Sequence, residues 1–339
     1  MKLEKFDYNL PDKLIAQEPA RPRDHSRLMV LNRKNGRIYH HHFYEIGKFL
    51  KSGDILVLNN SKVFPARLYG RKSSGGKIEV LLCQNISKER WKVIASGLKK
   101  KNEGQKLYFD QDLIAELEDH LGNGLWQIKF NFSSEELKRK IFKLGKTPTP
   151  PYIKKETDLK TYQTIYAKIE GSVAAPTAGF HFTKRLMSEL KNKGVQFEFI
   201  TLHIGLGTFQ PVRASQIEKH KMHSEWAILS ASVAQRLNRA KKDGRRIISV
   251  GTTTTRILED FCNRDGTLRS GKKEISLFIY PGYKFRFIDA LITNFHLPKS
   301  TLVMLASAFA GKEFIFRAYK EAIRKGYRFY SFGDAMLIL

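Results

Sequence analysis

From position 55 to about 132, apolar residues fall in short runs that alternate with polar ones, and each run ends at turn residues. ILVL at 55–58 reads as a strand buried on both faces, running into a connection that carries Pro65. RLYGRK and KIEVLLCQNI flank Ser-Ser-Gly-Gly at 73–76, which predicts a hairpin. RWKVIASG, QKLYFD and LWQIKFNF follow, the last after Gly-Asn-Gly at 122–124. Strands at this spacing predict a small barrel or sandwich. SSEELKRKIFKLG closes the stretch as a helix, with Ser133 or Ser134 as N-cap and Gly145 as C-cap. The prolines of GKTPTPPYI at 145–153 block helix and favour an extended linker.

Beyond that linker the helical and extended periods alternate. Thr183 caps a helix with Phe182, Leu186 and Leu190 on one face, ending at Gly194, and VQFEFITL then reads as a strand. RRIISVG is a strand that enters a Gly-Thr turn and the helix TRILEDFC. Ser300 caps TLVMLASAFA, Gly311 ends it, and a second helix runs to Gly326; YRFYSF and AMLIL read as strands. The pattern predicts an α/β protein. Its main mixed α/β domain is built from both chain ends, 1–60 and 152–339, and a small β-barrel domain, 61–151, is inserted between them.

Composition adds one extreme. Against 33 Asp+Glu stand 60 Lys+Arg, a formal charge of +27 over 339 residues. A field of that sign attracts polyanions by counterion release, which points to nucleic acid. A generally lysine-rich proteome gives the same number, and the basic residues are scattered rather than clustered, so charge leaves both readings open. The longest apolar run, 302–310, is broken by Ser307 and is far short of a membrane span, and the polar N-terminus has no signal-peptide core. Cys83 and Cys262 are the only cysteines, which predicts neither a disulfide framework nor a cysteine metal site. The expectation is a cytoplasmic protein.

Several segments carry candidate chemistry. Thr252–Thr255 follow a strand and open a helix, where free N–H groups and the helix dipole favour an anion, although a plain Thr-capped helix has the same pattern. HIGLGTF places Gly205 and Gly207 two apart, without the third glycine of a dinucleotide site; they let backbone approach a flat ligand. His220 and His223 in HKMHSEW have the i, i+3 spacing of metal ligands but no second ligand pair nearby; acid–base work by His223 or Glu225 suits the segment better, and a surface or core-edge histidine has the same pattern. GSVAAPTAGFHFT is rich in small residues that leave room for a ligand, and TNFHLPKST sets Asn294, His296 and Lys299 in a strand-end loop. His40–His42 resemble a metal tag but sit in a strand–loop and are read as structural.

Taken in order, HSRLMVL, GDILVLNNSKVFPARLYG, YQTIYA, GSVAAPTAGFHFT, TLHIGLGTFQPV, HKMHSEW, VGTTTTR, FIYPGYKFRFIDALITNFHLPKSTL and YRFYSFGDAM resemble the S-adenosylmethionine:tRNA ribosyltransferase-isomerase family of queuosine biosynthesis. The blocks run from near residue 6 to the C-terminus. Departures are mild: Ser61 stands where threonine is usual, Thr254–Thr255 where Ser-Val is commoner, and Phe180 where leucine is.

The resemblance implies an α/β domain with an inserted β-barrel. It also implies transfer and isomerisation of the ribosyl part of S-adenosylmethionine onto 7-aminomethyl-7-deazaguanine at the wobble position of tRNAs for Tyr, His, Asp and Asn. The product is epoxyqueuosine, and adenine and methionine leave. The donor is consumed as a substrate, with no other cofactor and no metal, by a monomer.

On that reading acid–base roles fall to His203, His223, Glu225, His296 and Asp334, and the donor's carboxylate to Thr252, Thr253 and Arg256. Thr177, Gly179, Gly205, Gly207 and Asn294 line the substrate, Tyr280, Tyr283 and Phe295 stack on bases, and Arg67 and Lys299 reach phosphate. Two rivals remain. An S-adenosylmethionine-dependent RNA methyltransferase would show a glycine-rich turn after its first strand, which is not evident. A tRNA-binding module would not need the His-bearing loops.

Overall fold

The computed structural model describes residues 1–339 except 111, 123, 206–213, 221 and 223. After three short 3-10 helices comes a hairpin of β1 (Arg27–Asn32) and β2 (Arg37–His42). β3 (Ile55–Asn59) is buried at every position, as a strand covered on both faces must be. After β4 (Ser61–Val63) come β5 (Arg67–Lys72), β6 (Lys77–Asn85), β7 (Arg90–Ala95), β8 (Lys106–Tyr108), β9 (Ile114–Gly122) and β10 (Leu125–Phe130). These six close into a barrel in the order β10-β7-β6-β5-β8-β9. Alternate residues face inward, among them Val80, Leu82, Ala115, Leu117, Trp126 and Ile128, and α1 (Ser134–Leu144) adds Leu137 and Ile141 to the same core. The sequence pattern supports the barrel but leaves out β9. Its outward Glu116 and Glu118 and inward Ala115 give it weak strand propensity, although it alternates correctly.

Gly145 ends α1 as expected but not through a left-handed turn: its φ is −71°. The requirement is steric. A Cβ there would lie 2.0 Å from the Pro65 carbonyl oxygen and 2.6 Å from that of Ile141, where the chain leaving the barrel crosses the chain entering it. Gly145→Ala therefore overpacks this crossing and is expected to lower stability by about 1–3 kcal/mol in urea unfolding. An unchanged midpoint would show that the crossing can relax freely.

The return chain supplies β11 (Ile169–Ser172), α2 (Lys184–Asn192), β12 (Gln196–His203), β13 (Glu225–Leu229), α3 (Ala231–Lys242), β14 (Ile247–Val250) and α4 (Thr252–Asp260). It ends with β15 (Gly271–Ile275), β16 (Ala290–Asn294), α5 (Thr301–Ala310), α6 (Lys312–Arg324) and β17 (Ala335–Ile338). β11 pairs with β4, while nine strands form one mixed sheet in the order β15-β13-β12-β3-β14-β16-β17-β1-β2. Both chain ends thus build it, as the pattern predicts.

Alternating residues feed two cores. Ile55, Val57, Ile247 and Leu291 meet α3, α4, α5 and α6 on one face. Leu56, Leu58, Ile248 and Ile292 meet Leu186 and Leu190 of α2 on the other. The caps at Thr183 and Ser300 form, each side chain accepting the N–H three residues on. YRFYSF is the exception among the expected strands. Phe329 makes a single bridge to Ile15, and Tyr330 sits at φ 71°, which turns the chain.

Four neighbouring strands, β12, β3, β14 and β16, run parallel. Their carboxyl ends, at His203, Asn59, Val250 and Asn294, therefore share one edge of the sheet. In open α/β sheets ligands bind at that edge.

Candidate functional site

At this edge β14 gives way to Gly251, whose φ of 92° swings the chain into α4. The four threonines then divide the work. Thr254 and Thr255 are fully buried, and Thr255 Oγ1 donates to Ser249 Oγ at 2.9 Å, which locks the turn from beneath. Thr252 and Thr253 instead line two adjoining clefts, a smaller one on the Arg256 side and a larger one on the Asn294 side, and, with Leu302, belong to both. Helix geometry leaves the N–H groups of this first turn without intrahelical partners, so they face the clefts with the positive end of the helix dipole.

The smaller cleft is charged. Arg256, one turn into α4, is 5% exposed; its Nε donates to the Leu277 carbonyl at 3.0 Å and its Nη1 pairs with Glu225 Oε2. Its Nη2 is buried without a hydrogen-bond partner. Glu225, at the start of β13, also accepts the Gly205 N–H at 3.1 Å, so the ion pair ties the end of β12 to α4. Such a pair is stable when both partners are present and costly when one is removed.

The larger cleft is mostly apolar and carries no charged side chain, with polar groups set into its wall. Thr177, Thr293, Asn294, His296, Ser300 and Ser331 contribute hydroxyl, amide and imidazole groups. His296 Nε2 lies 2.8 Å from Thr293 Oγ1, and burial pulls its pKa down to about 3, so the ring is neutral. Asn294 donates through Nδ2 to the Tyr330 carbonyl at 2.9 Å, while its Oδ1 has no hydrogen bond within the fold.

Other residues singled out from sequence lie around the clefts or away from them. His203, half-buried at the end of β12 opposite Trp226, has its pKa lowered by burial and its Nδ1 unpartnered. Gly205 is held by Glu225, whereas Gly207 and His223 lie outside the described residues. Gly179 sits under Tyr166, where a Cβ would come 1.9 Å from the phenol oxygen.

The aromatic candidates offer little stacking surface. Phe295 reaches the larger cleft, but its ring is fully buried against Tyr319, Tyr327 and Phe329. Tyr283 donates to Glu259, a buried carboxylate that also takes the N–H groups of Arg286, Phe287 and Ile288 and so pins the loop before β16. Tyr280 packs on Phe278, which lines the smaller cleft.

Asp334 is not on either cleft. It is 1% exposed, and its oxygens accept the N–H groups of Arg27 and Arg328 at 2.9 and 2.8 Å, joining β1 to the turn before β17. Lys299 pairs with Asp7 at 2.7 Å, and Arg67, on the barrel, pairs with Glu79 and donates to the Thr149 carbonyl. Pattern reading misses Tyr152, Tyr330 and Ser331, which reach the larger cleft from distant segments, and His181 just behind it. Only the last had a visible signal, the histidine inside the small-residue block.

The fold and site define an α/β protein with two adjoining clefts at the carboxyl edge of its parallel strands, one holding the Arg256–Glu225 pair and one without a charged side chain. The sequence model of a family described as "Queuosine biosynthesis protein" matches residues 3–338. S-adenosylmethionine:tRNA ribosyltransferase-isomerases of Thermotoga petrophila and Thermoanaerobacter sp. are each 52% identical over 100% of both chains. The crystal structure of a S-adenosylmethionine tRNA ribosyltransferase from Thermotoga maritima, 40% identical, aligns over 99% of this chain and 100% of its own with a TM-score of 0.56. The chain belongs to the queuosine biosynthesis protein family.

Proposed function

We propose that this protein is an S-adenosylmethionine:tRNA ribosyltransferase-isomerase. It moves the ribosyl part of the donor onto 7-aminomethyl-7-deazaguanine at the tRNA wobble position, isomerises it to give epoxyqueuosine, and releases adenine and methionine. The observation that carries this is the pair of clefts joined at Thr252 and Thr253. The donor has the same two-part character, an ionic amino-acid end and a neutral nucleoside end bridged by a sulfonium.

In this reading the carboxylate takes the N–H groups of the α4 turn and the spare Nη2 of Arg256, with Glu225 fixing the guanidinium. The nucleoside occupies the uncharged cleft. Proton removal beside the sulfonium needs a neutral base, which His296 supplies from the cleft wall and His203 from the carboxyl end of β12. His223 keeps its proposed acid–base role from the sequence. Asp334 acts at a distance, by holding the turn that carries Tyr330 and Ser331. The positive charge serves the tRNA, taken here as those for Tyr, His, Asp and Asn. Arg67 and Lys299 reach its phosphates by exchanging their present partners, Glu79 and Asp7.

The test is incubation of the protein with S-adenosylmethionine and tRNA carrying the aminomethyl base, followed by mass spectrometry of the nucleosides. Epoxyqueuosine with matching free adenine is the expected result. S-adenosylhomocysteine in place of adenine would make it a methyltransferase, and tRNA binding without turnover would leave a binding module.

A further inference from the structure

His181 is the last residue of a short 3-10 helix, Thr177–His181, and is 3% exposed. Its ring is fixed on two sides. Nδ1 lies 2.7 Å from Ser26 Oγ, and the ring packs on Phe43 at 5.0 Å between centroids. Ser26 is itself held, because its carbonyl takes the Phe43 N–H at 2.8 Å. The remaining nitrogen, Nε2, is buried with no hydrogen bond in the fold. The Asn294 side chain lies within hydrogen-bonding reach of this ring and favours its protonation, although its Oδ1 makes no hydrogen bond of ordinary geometry. Burial outweighs that effect and keeps the ring neutral, with its pKa down to about 3.

Two buried polar atoms without a well-formed hydrogen bond call for an explanation. The hydrogen-bond logic gives one. Ser26 Oγ–H donating to Nδ1 leaves the ring proton on Nε2, which faces an acceptor. The Asn294 amide cannot flip to offer its N–H groups there, since Nδ2 donates to the Tyr330 carbonyl. Ring and carbonyl together therefore set the amide of Asn294, a residue that lines the larger cleft. His181 does not line that cleft; it borders a small depression behind it, with Ser26 and Arg23.

We propose that His181 is a positioning residue, acting through Asn294: it holds the Asn294 amide oxygen as the acceptor for a donor group on the nucleoside part of the ligand, a ribosyl hydroxyl or the adenine amine. This rests on the transferase reading above, with the donor's neutral end in the larger cleft. The contact is with a group common to S-adenosylmethionine and adenosine, so either molecule probes it, whereas methionine does not.

Calorimetric titration of the full-length protein with S-adenosylmethionine tests this without requiring turnover. His181→Phe and Asn294→Ala are each expected to weaken donor binding about tenfold, and the double variant to be no weaker than Asn294→Ala alone. His181→Gln, which keeps an N–H, recovers most of the affinity, and the dissociation constant for tRNA stays at the parent value in all of them. Ser26→Ala, a smaller change, shows the same direction if His181→Phe folds poorly by circular dichroism. Additive losses, or variants that bind donor as the parent does, would overturn the assignment of His181 while leaving the transferase reading intact. A parent protein that binds neither S-adenosylmethionine nor adenosine would overturn both.

Discussion

Arg256→Met is expected to abolish donor-dependent adenine release and to lower folding stability by about 3–5 kcal/mol. Both effects come from one buried contact. Arg256 and Glu225 are 5% exposed each, and removing the guanidinium takes the Arg256 charge away from the buried Glu225 carboxylate. The two effects separate in the double variant Glu225→Met/Arg256→Met. With both charges gone no buried carboxylate is left facing the missing guanidinium, so the double variant unfolds at higher urea than Arg256→Met alone. Recovery is incomplete, because the Gly205 N–H loses its acceptor at a cost of about 1–3 kcal/mol. Activity does not return, since nothing replaces Nη2 at the donor's carboxylate. A double variant that regains adenine release would show that Arg256 only pairs with Glu225 and holds no ligand.

That contact also shows where sequence reading stops. The partners are 31 residues apart, and Ser26 and His181 are 155 apart. Periodicity reports local structure, so the caps at Thr183 and Ser300, the buried central strands and most of the barrel were legible. The exceptions were local conflicts, such as the acidic alternation of β9 and the positive φ at Tyr330. Residue type reports what a side chain can do, not what it is bonded to. Asp334, Tyr283 and Phe295 have chemistry suited to a site, yet the fold uses them to tie backbone N–H groups, to hold a carboxylate, and to fill a core. The Gly-Thr turn was readable because its function rests on backbone N–H groups, which the order strand, glycine, helix places without any long-range information.

Acid is expected to unfold this protein through its histidines, before the chemistry itself fails. His181 and His296 are both fully enclosed and have pKa values near 3, against about 6.5 in an unfolded chain. Between those limits the unfolded state binds the extra proton and the folded state does not, so stability falls as pH falls. From pH 7 to pH 5 the loss is about 2 kcal/mol for each of the two, and it continues toward pH 3. The half-buried His203 is displaced in the same direction and adds to it. Urea midpoints measured at the two pH values should therefore shift strongly, and His181→Gln or His296→Gln should each flatten the slope by nearly one proton. Variants as acid-sensitive as the parent would move the cause elsewhere, to carboxylates such as Glu45, which titrate lower. The same displacement bears on catalysis. A ring that stays neutral throughout pH 5–9 is a base at every pH where the protein is folded, so the rate should show no acidic limb from His296 above the pH at which the fold is lost.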